Sequence, residues 1–296
     1  MTKNVLSALF SAARGLLRNF GALLVLALLY AGLIVAAVLF VTTREASTAQ
    51  LALTALAALA VPVLFFLVAA GCAAYAAGES RPVGILRRAL ANFLKVLTVS
   101  LPVVALVVGT VWAMNKLESR VKHDPRDEAS AQYSANMDEE GGDAAEQARP
   151  KPPVRWAYVF YSALRLLLLG VFLPLLAVHL WIAAVRDGLG GALKVHRVFA
   201  RAFAARSVFT YAVGMIVFAL IPYFLIIKRT PASAGWLELS FLSIRLLAAF
   251  ALTLFGFVAT TAALARYDGG GTNPDPSLVR QPDQQPRPAE PASVTS

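Results

Sequence analysis

Six long stretches of this chain run with scarcely a charge: 20–41, 51–77, 96–114, 157–185, 208–227 and 240–265. Hydrocarbon cannot hydrogen-bond the backbone, so a segment crossing it must pair its own N–H and C=O groups, and a helix of about 20 apolar residues does so across a core about 30 Å thick. The chain is 58% hydrophobic and only 15% charged, whereas soluble domains carry about 25% charged residues. The expected fold is therefore all-α, a polytopic membrane helix bundle with six transmembrane helices. The first stretch is too long for the 7–15-residue apolar core of about that length in a secretory signal, and no small-residue cleavage site follows it, so it is read as an uncleaved anchor.

The same segments set the domain organisation. Residues 1–114 form a membrane domain with three spans and 156–267 a second set of three. Between them, 115–155 is a polar insert with Gly-Gly and Pro-Pro punctuation and too few apolar residues for a core, expected to be a flexible non-cytoplasmic loop. The tail 268–296 is rich in Gly, Pro and Gln and reads as disordered. Four spans carry a proline, Pro62, Pro102, Pro174 and Pro222. A proline inside a membrane helix implies a kink whose freed carbonyl finds a donor on a neighbouring helix.

Charge orients the chain. Of the net +10, residues 1–114 hold eight basic and two acidic side chains and 156–267 ten and two, while the insert and the tail are both net acidic. Thirteen lysines and arginines (Lys3, Arg14, Arg18, Arg81, Arg87, Arg88, Lys95, Arg186, Lys194, Arg197, Arg201, Arg206 and Arg266) lie on the side that holds the N-terminus. The other side holds ten, seven of them in the insert. Under the positive-inside rule both termini are cytoplasmic, in what is read as a bacterial inner membrane. A basic excess confined to membrane-embedded segments points to anionic phospholipid as a partner, with another membrane protein as a further possibility. No basic patch interleaved with aromatics suggests nucleic acid.

Three segments on that side are amphipathic at helical period. Near the N-terminus Val5, Leu6, Leu9, Phe10, Ala13, Leu17 and Phe20 oppose Lys3, Arg14 and Arg18. In "ILRRALANFLK" Ile85, Leu86, Ala89, Leu90, Phe93 and Leu94 oppose Arg87, Arg88 and Lys95. Later Val195, Val198, Phe199, Ala202 and Phe203 oppose Lys194, Arg197 and Arg201. Each precedes an odd-numbered span, and "RGLLRNF", "RRALANF" and "RVFARAF" align without gaps on a leading Arg and a closing Phe. This predicts three cytoplasmic interfacial amphipathic helices, each sunk about 5–10 Å with its cations at the headgroups, and a threefold unit of lead-in helix, span and return span.

Arg-rich lead-ins that end in an aromatic and open into Leu/Ala/Val spans resemble a broad set of bacterial multi-pass membrane proteins without an assigned function. That set includes those grouped with the membrane domain of glycerophosphodiester phosphodiesterases. The resemblance covers the lead-ins and their spans. It implies a multi-pass membrane fold and no activity, since the catalytic domain of that group has no counterpart here.

Chemistry-bearing residues are sparse. Among the spans only Arg165, His179 and Arg245 are ionisable side chains of the kind that mark function at membrane depth. Arg165 and Arg245 fall at a similar outer depth. They are read as a possible contact for an anionic headgroup or cargo, against the plainer alternative of snorkelling to an interface marked by Trp156 and Trp236. His179 reads as a buried hydrogen-bonding residue, Cys72 as a small buried hydrophobe, and "GLGG" at 188–191 as a loop. No catalytic motif, metal-ligand spacing or cofactor fingerprint is present, and no span holds the carboxylate that ion-coupled transport uses. The expectation is a non-catalytic membrane protein that organises lipid or binds partners; alternatives are a carrier for an anionic or amphiphilic cargo and a lipid-modifying enzyme.

Overall fold

A computed structural model describes residues 2–43, 47–122, 156–227 and 235–268. All elements among the described residues are helical, and six are long and apolar enough to cross a membrane. The protein is an integral, multi-pass membrane protein. Helix α1 (Thr2–Arg18) leads into the first span α2 (Phe20–Thr42). The second and third spans are α3 (Thr48–Ala76) and α4 (Pro82–Lys122). The fourth comprises α5 (Trp156–Leu167), a π-helical turn (Leu168–Phe172) and α6 (Leu173–Arg186). Two short helices, α7 (Gly188–Ala192) and α8 (Val195–Ala202), connect to the fifth, made of α9 (Ala205–Met215), a second π-helical turn (Ile216–Leu220) and α10 (Ile221–Ile227). The sixth is α11 (Gly235–Asp268).

The core is not spread evenly through the bilayer. Val68–Ala74 of the second span, Ile85–Val103 of the third, Leu175–Ala184 of the fourth and Val258–Ala265 of the sixth supply most of its buried residues. All lie in the half of the bundle that faces α1, α7 and α8. In α6 every residue from Leu175 to Ala184 is buried, the all-round apolarity of a central helix. Small residues let the backbones approach, as helices in lipid require where no hydrophobic drive exists between them. A Cβ on Gly71 would stand 2.9 Å from Leu26 Cδ2, and one on Gly256 or Gly214 would collide with Phe218 or Thr260 respectively. The opposite half is loosely packed: Leu166, Leu237, Leu247 and Phe160 are all exposed and therefore face lipid.

The four span prolines divide into two kinds. Pro62 and Pro102 sit inside unbroken α-helices, whereas Pro174 and Pro222 each follow a π-helical turn by two residues. Pro174 has no N–H to offer the carbonyl four residues back, that of Gly170. The Tyr211 hydroxyl of the fifth span donates to that oxygen at 3.2 Å, which is the cross-helix rescue that a membrane proline calls for.

The lead-in helices depart from the sequence expectation in two respects. First, residues 85–95 are not a separate interfacial helix; they are the first turns of the 41-residue α4. Asn19 of "RGLLRNF" interrupts the helix (φ −101°, ψ 60°), but the aligned Asn92 of "RRALANF" stays helical. Its amide donates to Arg88 O at 2.9 Å, and its oxygen accepts from Lys95 Nζ at 2.9 Å. Second, the deepest row of each lead-in packs on protein rather than lipid. Val5, Leu9, Ala12 and Leu16 are buried, the first three against Ala262 and Ala263 of the sixth span. Ile85 and Ala89 are buried in the core, as are Val198 and Ala202. What remains for lipid is the adjacent row, Phe10 and Leu17 in α1 and Leu90 and Leu94 in α4. A helix with an apolar arc wider than one row serves both contacts. The third unit breaks the repeat: Phe203 is packed on Phe172 and Phe199, while its counterpart Phe20 is exposed.

The polar insert begins later than its composition suggests, because α4 carries 115–122 as helix. Residues 123–155, the tail from 269 onward and the outer-loop cations Arg44, Lys228 and Arg229 lie outside the described residues.

Candidate functional site

The basic residues singled out in the sequence come to one end of the bundle. Arg14 and Arg18 on α1, Arg87 and Arg88 on α4, and Lys194 and Arg197 around α8 are exposed; Lys95 and Arg201 are half-buried. Because the helices carrying them are pinned to the core by Leu16, Ala89 and Val198, these cations are held as a fixed rim. The few acids at this end neutralise single arginines. Glu79 accepts from the Arg81 backbone N–H at 3.2 Å, at the start of α4, and pairs with Arg88 Nε at 3.2 Å. Asp187 accepts from Arg186 Nε and Nη2 at 3.0 and 3.1 Å. That bidentate bond, reinforced by the charges of Arg186, Arg201 and Lys194, holds the Asp187 carboxyl below its ordinary value despite slight desolvation.

At the opposite end, Arg165 is exposed, and its Nη1 lies 3.9 Å from Glu118 Oε2 of the third span. A carboxylate that the sequence reading did not name thus answers this cation, and no anionic ligand is required to hold it there. Arg245 is half-buried on the sixth span. Trp156 and Trp236 are exposed in the same zone, joined by Trp112, over whose ring Lys116 Nζ lies at 5.1 Å. These rings have the placement of an aromatic belt.

Inside the bundle the polar groups bind one another. His179 is buried, with Nδ1 2.9 Å from Leu175 O, as expected of a histidine one turn above that carbonyl. Trp181 Nε1 donates to Ser100 Oγ at 2.8 Å, and Ser100 in turn donates to Val96 O at 2.6 Å. This chain ties the fourth span to the third. Cys72 is fully buried.

The feature that sequence reasoning missed is a cavity of about 290 Å³ within the bundle, at the depth of the spans. The first and second spans contribute to its wall little that a pattern would flag: Tyr30 and Leu33 come from α2, Phe65 and Val68 from α3. The π-turn brings Phe218 and Ala219, and α11 brings Thr253 and Thr260. Its polar atoms are hydroxyls, among them a Tyr30–Thr253 pair at 3.1 Å in which Thr253 also bonds Ala249 O at 2.8 Å. Neither Arg165 nor Arg245 lines it. Its signal in the sequence was indirect: glycines and threonines at 214, 253, 256 and 260 inside otherwise bulky spans.

No protein-family model, no curated protein and no solved structure matches this chain, so its function has to be argued from its own residues.

Proposed function

We propose that this protein is a non-catalytic organiser of a bacterial cytoplasmic membrane, with both termini inside, that gathers anionic phospholipid against its basic face. The observation that carries this reading is the rim of exposed arginines and lysines on helices whose other faces are locked into the core. Cations on mobile loops would follow the lipids; cations on a packed scaffold impose a pattern on them. Each one at headgroup depth contributes on the order of 1 kcal/mol toward an anionic surface. Three acids among the described residues partner arginines, Glu79 for Arg88, Asp187 for Arg186 and Glu118 for Arg165, and this supports a structural rather than a catalytic use of those three.

Two experiments test it. Reporter fusions at Asp138 and in the tail should report opposite compartments; the same compartment from both would overturn the topology. Arg14, Arg18, Arg197 and Arg201 changed together to Gln should lower the anionic lipid co-purified from mixed nanodiscs, read by native mass spectrometry. Arg87, Arg88 and Lys95 changed to Gln should do likewise and leave amide exchange of 85–95 unaltered, since that segment is part of α4. Unchanged lipid composition in both variants would refute the function.

A further inference from the structure

The cavity lies at a defined depth below a particular pair of cations. Its fifth-span wall runs from Tyr211 to Ala219 and its sixth-span wall from Thr253 to Thr261. The two helices pack tightly at two levels, Gly256 against Phe218 and, nearer the basic end, Gly214 against Thr260. From the latter level Arg206 lies eight residues toward the basic end and Arg266 six residues, or about 12 and 9 Å at 1.5 Å per residue. Both side chains are exposed. The hydrocarbon of one leaflet is about 15 Å deep, half of a core of about 30 Å. The cavity therefore occupies the acyl region of the leaflet whose headgroups meet Arg206 and Arg266.

Its lining suits a chain rather than a polar solute. Aromatic and aliphatic side chains dominate; the hydroxyls of Tyr30, Thr253, Thr261 and Tyr211 are taken by Thr253, Ala249 O, Phe257 O and Gly170 O. No ionisable acid or base other than the two tyrosines lines it. It is not sealed, since the lining residues Phe65 and Ala219 are exposed to the lipid side. Hydrocarbon around such an opening enters it in preference to water, which would find few partners there. The volume exceeds what a few methylenes fill, and each buried CH₂ is favourable by about 0.8 kcal/mol relative to water.

We propose that this cavity holds one acyl chain of an anionic phospholipid from the basic-side leaflet, with the phosphate of that lipid at Arg206 and Arg266. The headgroup half rests on the proposed affinity for anionic lipid; the chain half does not.

Trp181 provides a reporter. It is buried, and its ring contacts two lining residues, Phe65 at 5.9 Å and Phe257 at 6.5 Å. Trp112, Trp156 and Trp236 are replaced by Phe, and the protein is placed in nanodiscs of phosphatidylcholine whose chains carry bromine at mid-length. The Trp181 emission should fall strongly relative to unbrominated lipid. Filling the opening with Ala219→Phe, or separately with Leu33→Phe, should restore most of it. Equal quenching with and without both fillings would overturn the chain site, because bulk lipid would then account for the signal. The headgroup is tested in nanodiscs where brominated phosphatidylglycerol is a minor component of unbrominated phosphatidylcholine. Quenching should exceed that given by the same fraction of brominated phosphatidylcholine, and Arg206→Gln with Arg266→Gln should abolish the excess. An excess that survives the double substitution, or no excess at all, refutes the headgroup assignment. Enrichment of anionic lipid at the rim, measured separately by mass spectrometry, would be untouched by either failure.

Discussion

The bond between Tyr211 and Gly170 links a backbone defect in one span to a side chain in another. Removing the hydroxyl by Tyr211→Phe leaves the Gly170 carbonyl without that donor at membrane depth, where Pro174 cannot supply an N–H. The bond is neutral and, at 3.2 Å, at the long end of its class, so a loss of about 1 kcal/mol is expected. Cross-helix bonds in membrane proteins average about 0.6 kcal/mol and reach about 1.7, which brackets the same figure. Pro174→Ala restores an N–H four residues after Gly170. In that background the carbonyl has an intrahelical donor available, and Tyr211→Phe should cost little. The coupling between the two substitutions is thus expected at about 0.5–1.5 kcal/mol. The assay is unfolding in mixed detergent micelles, followed by Trp181 emission after the other tryptophans are changed to Phe, on wild type, both singles and the double. Strict additivity would refute the reasoning: the Tyr211 hydroxyl would then be contributing through packing or solvation alone, and the π-turn would be satisfied without it.

Gly256→Leu, which drives a side chain into Phe218, should destabilise by about 1–3 kcal/mol, and Phe218→Ala should recover part of that loss in the same unfolding assay. Ser100→Ala removes the acceptor of Trp181 Nε1; a cost of about 1 kcal/mol and a blue-shifted Trp181 emission are expected. Because the Asp187 pKa is lowered in the folded protein, its pairing with Arg186 is fully present above the ordinary carboxylate range and is lost as pH falls below it. Asp187→Asn should flatten this acid limb of a melting-temperature profile and leave neutral pH little changed, the pair being largely exposed and solvent-screened.

The spans were legible because hydrocarbon imposes a simple demand. The stretch 208–227 became Ala205–Ile227 and 20–41 became Phe20–Thr42. Periodicity also found the lead-in helices, but it could not say what their apolar faces touch. Val5 and Phe10 are equally apolar in the sequence, yet one is buried against Ala263 and the other exposed. In a membrane protein lipid and core are alike in polarity, so the pattern that separates inside from outside in water is silent. Residue size carries the missing information instead, through Gly71, Gly214 and Gly256. The cavity was illegible for a related reason. It arises beside the π-turn Ile216–Leu220, which gives Phe218 and Ala219 to its wall, at a tight fifth–sixth span contact, and the hydroxyls in its wall look like ordinary helix-interior threonines. Glu118 was assigned to the insert because of its charged neighbours; the continuation of α4 by about two turns puts it within reach of Arg165.

The 41 residues of α4 extend about 61 Å at 1.5 Å per residue, twice the hydrocarbon thickness of about 30 Å. With no loop between its basic start and Lys122, the helix is a lever through the membrane. Its first turns are clamped in the core through Ile85 and Ala89, so a bend along it would leave the basic rim in place and swing only the stretch that runs on to Lys122. Pro102 stands near the middle of that arm, between the section clamped in the core and the section that faces lipid, where a fulcrum belongs.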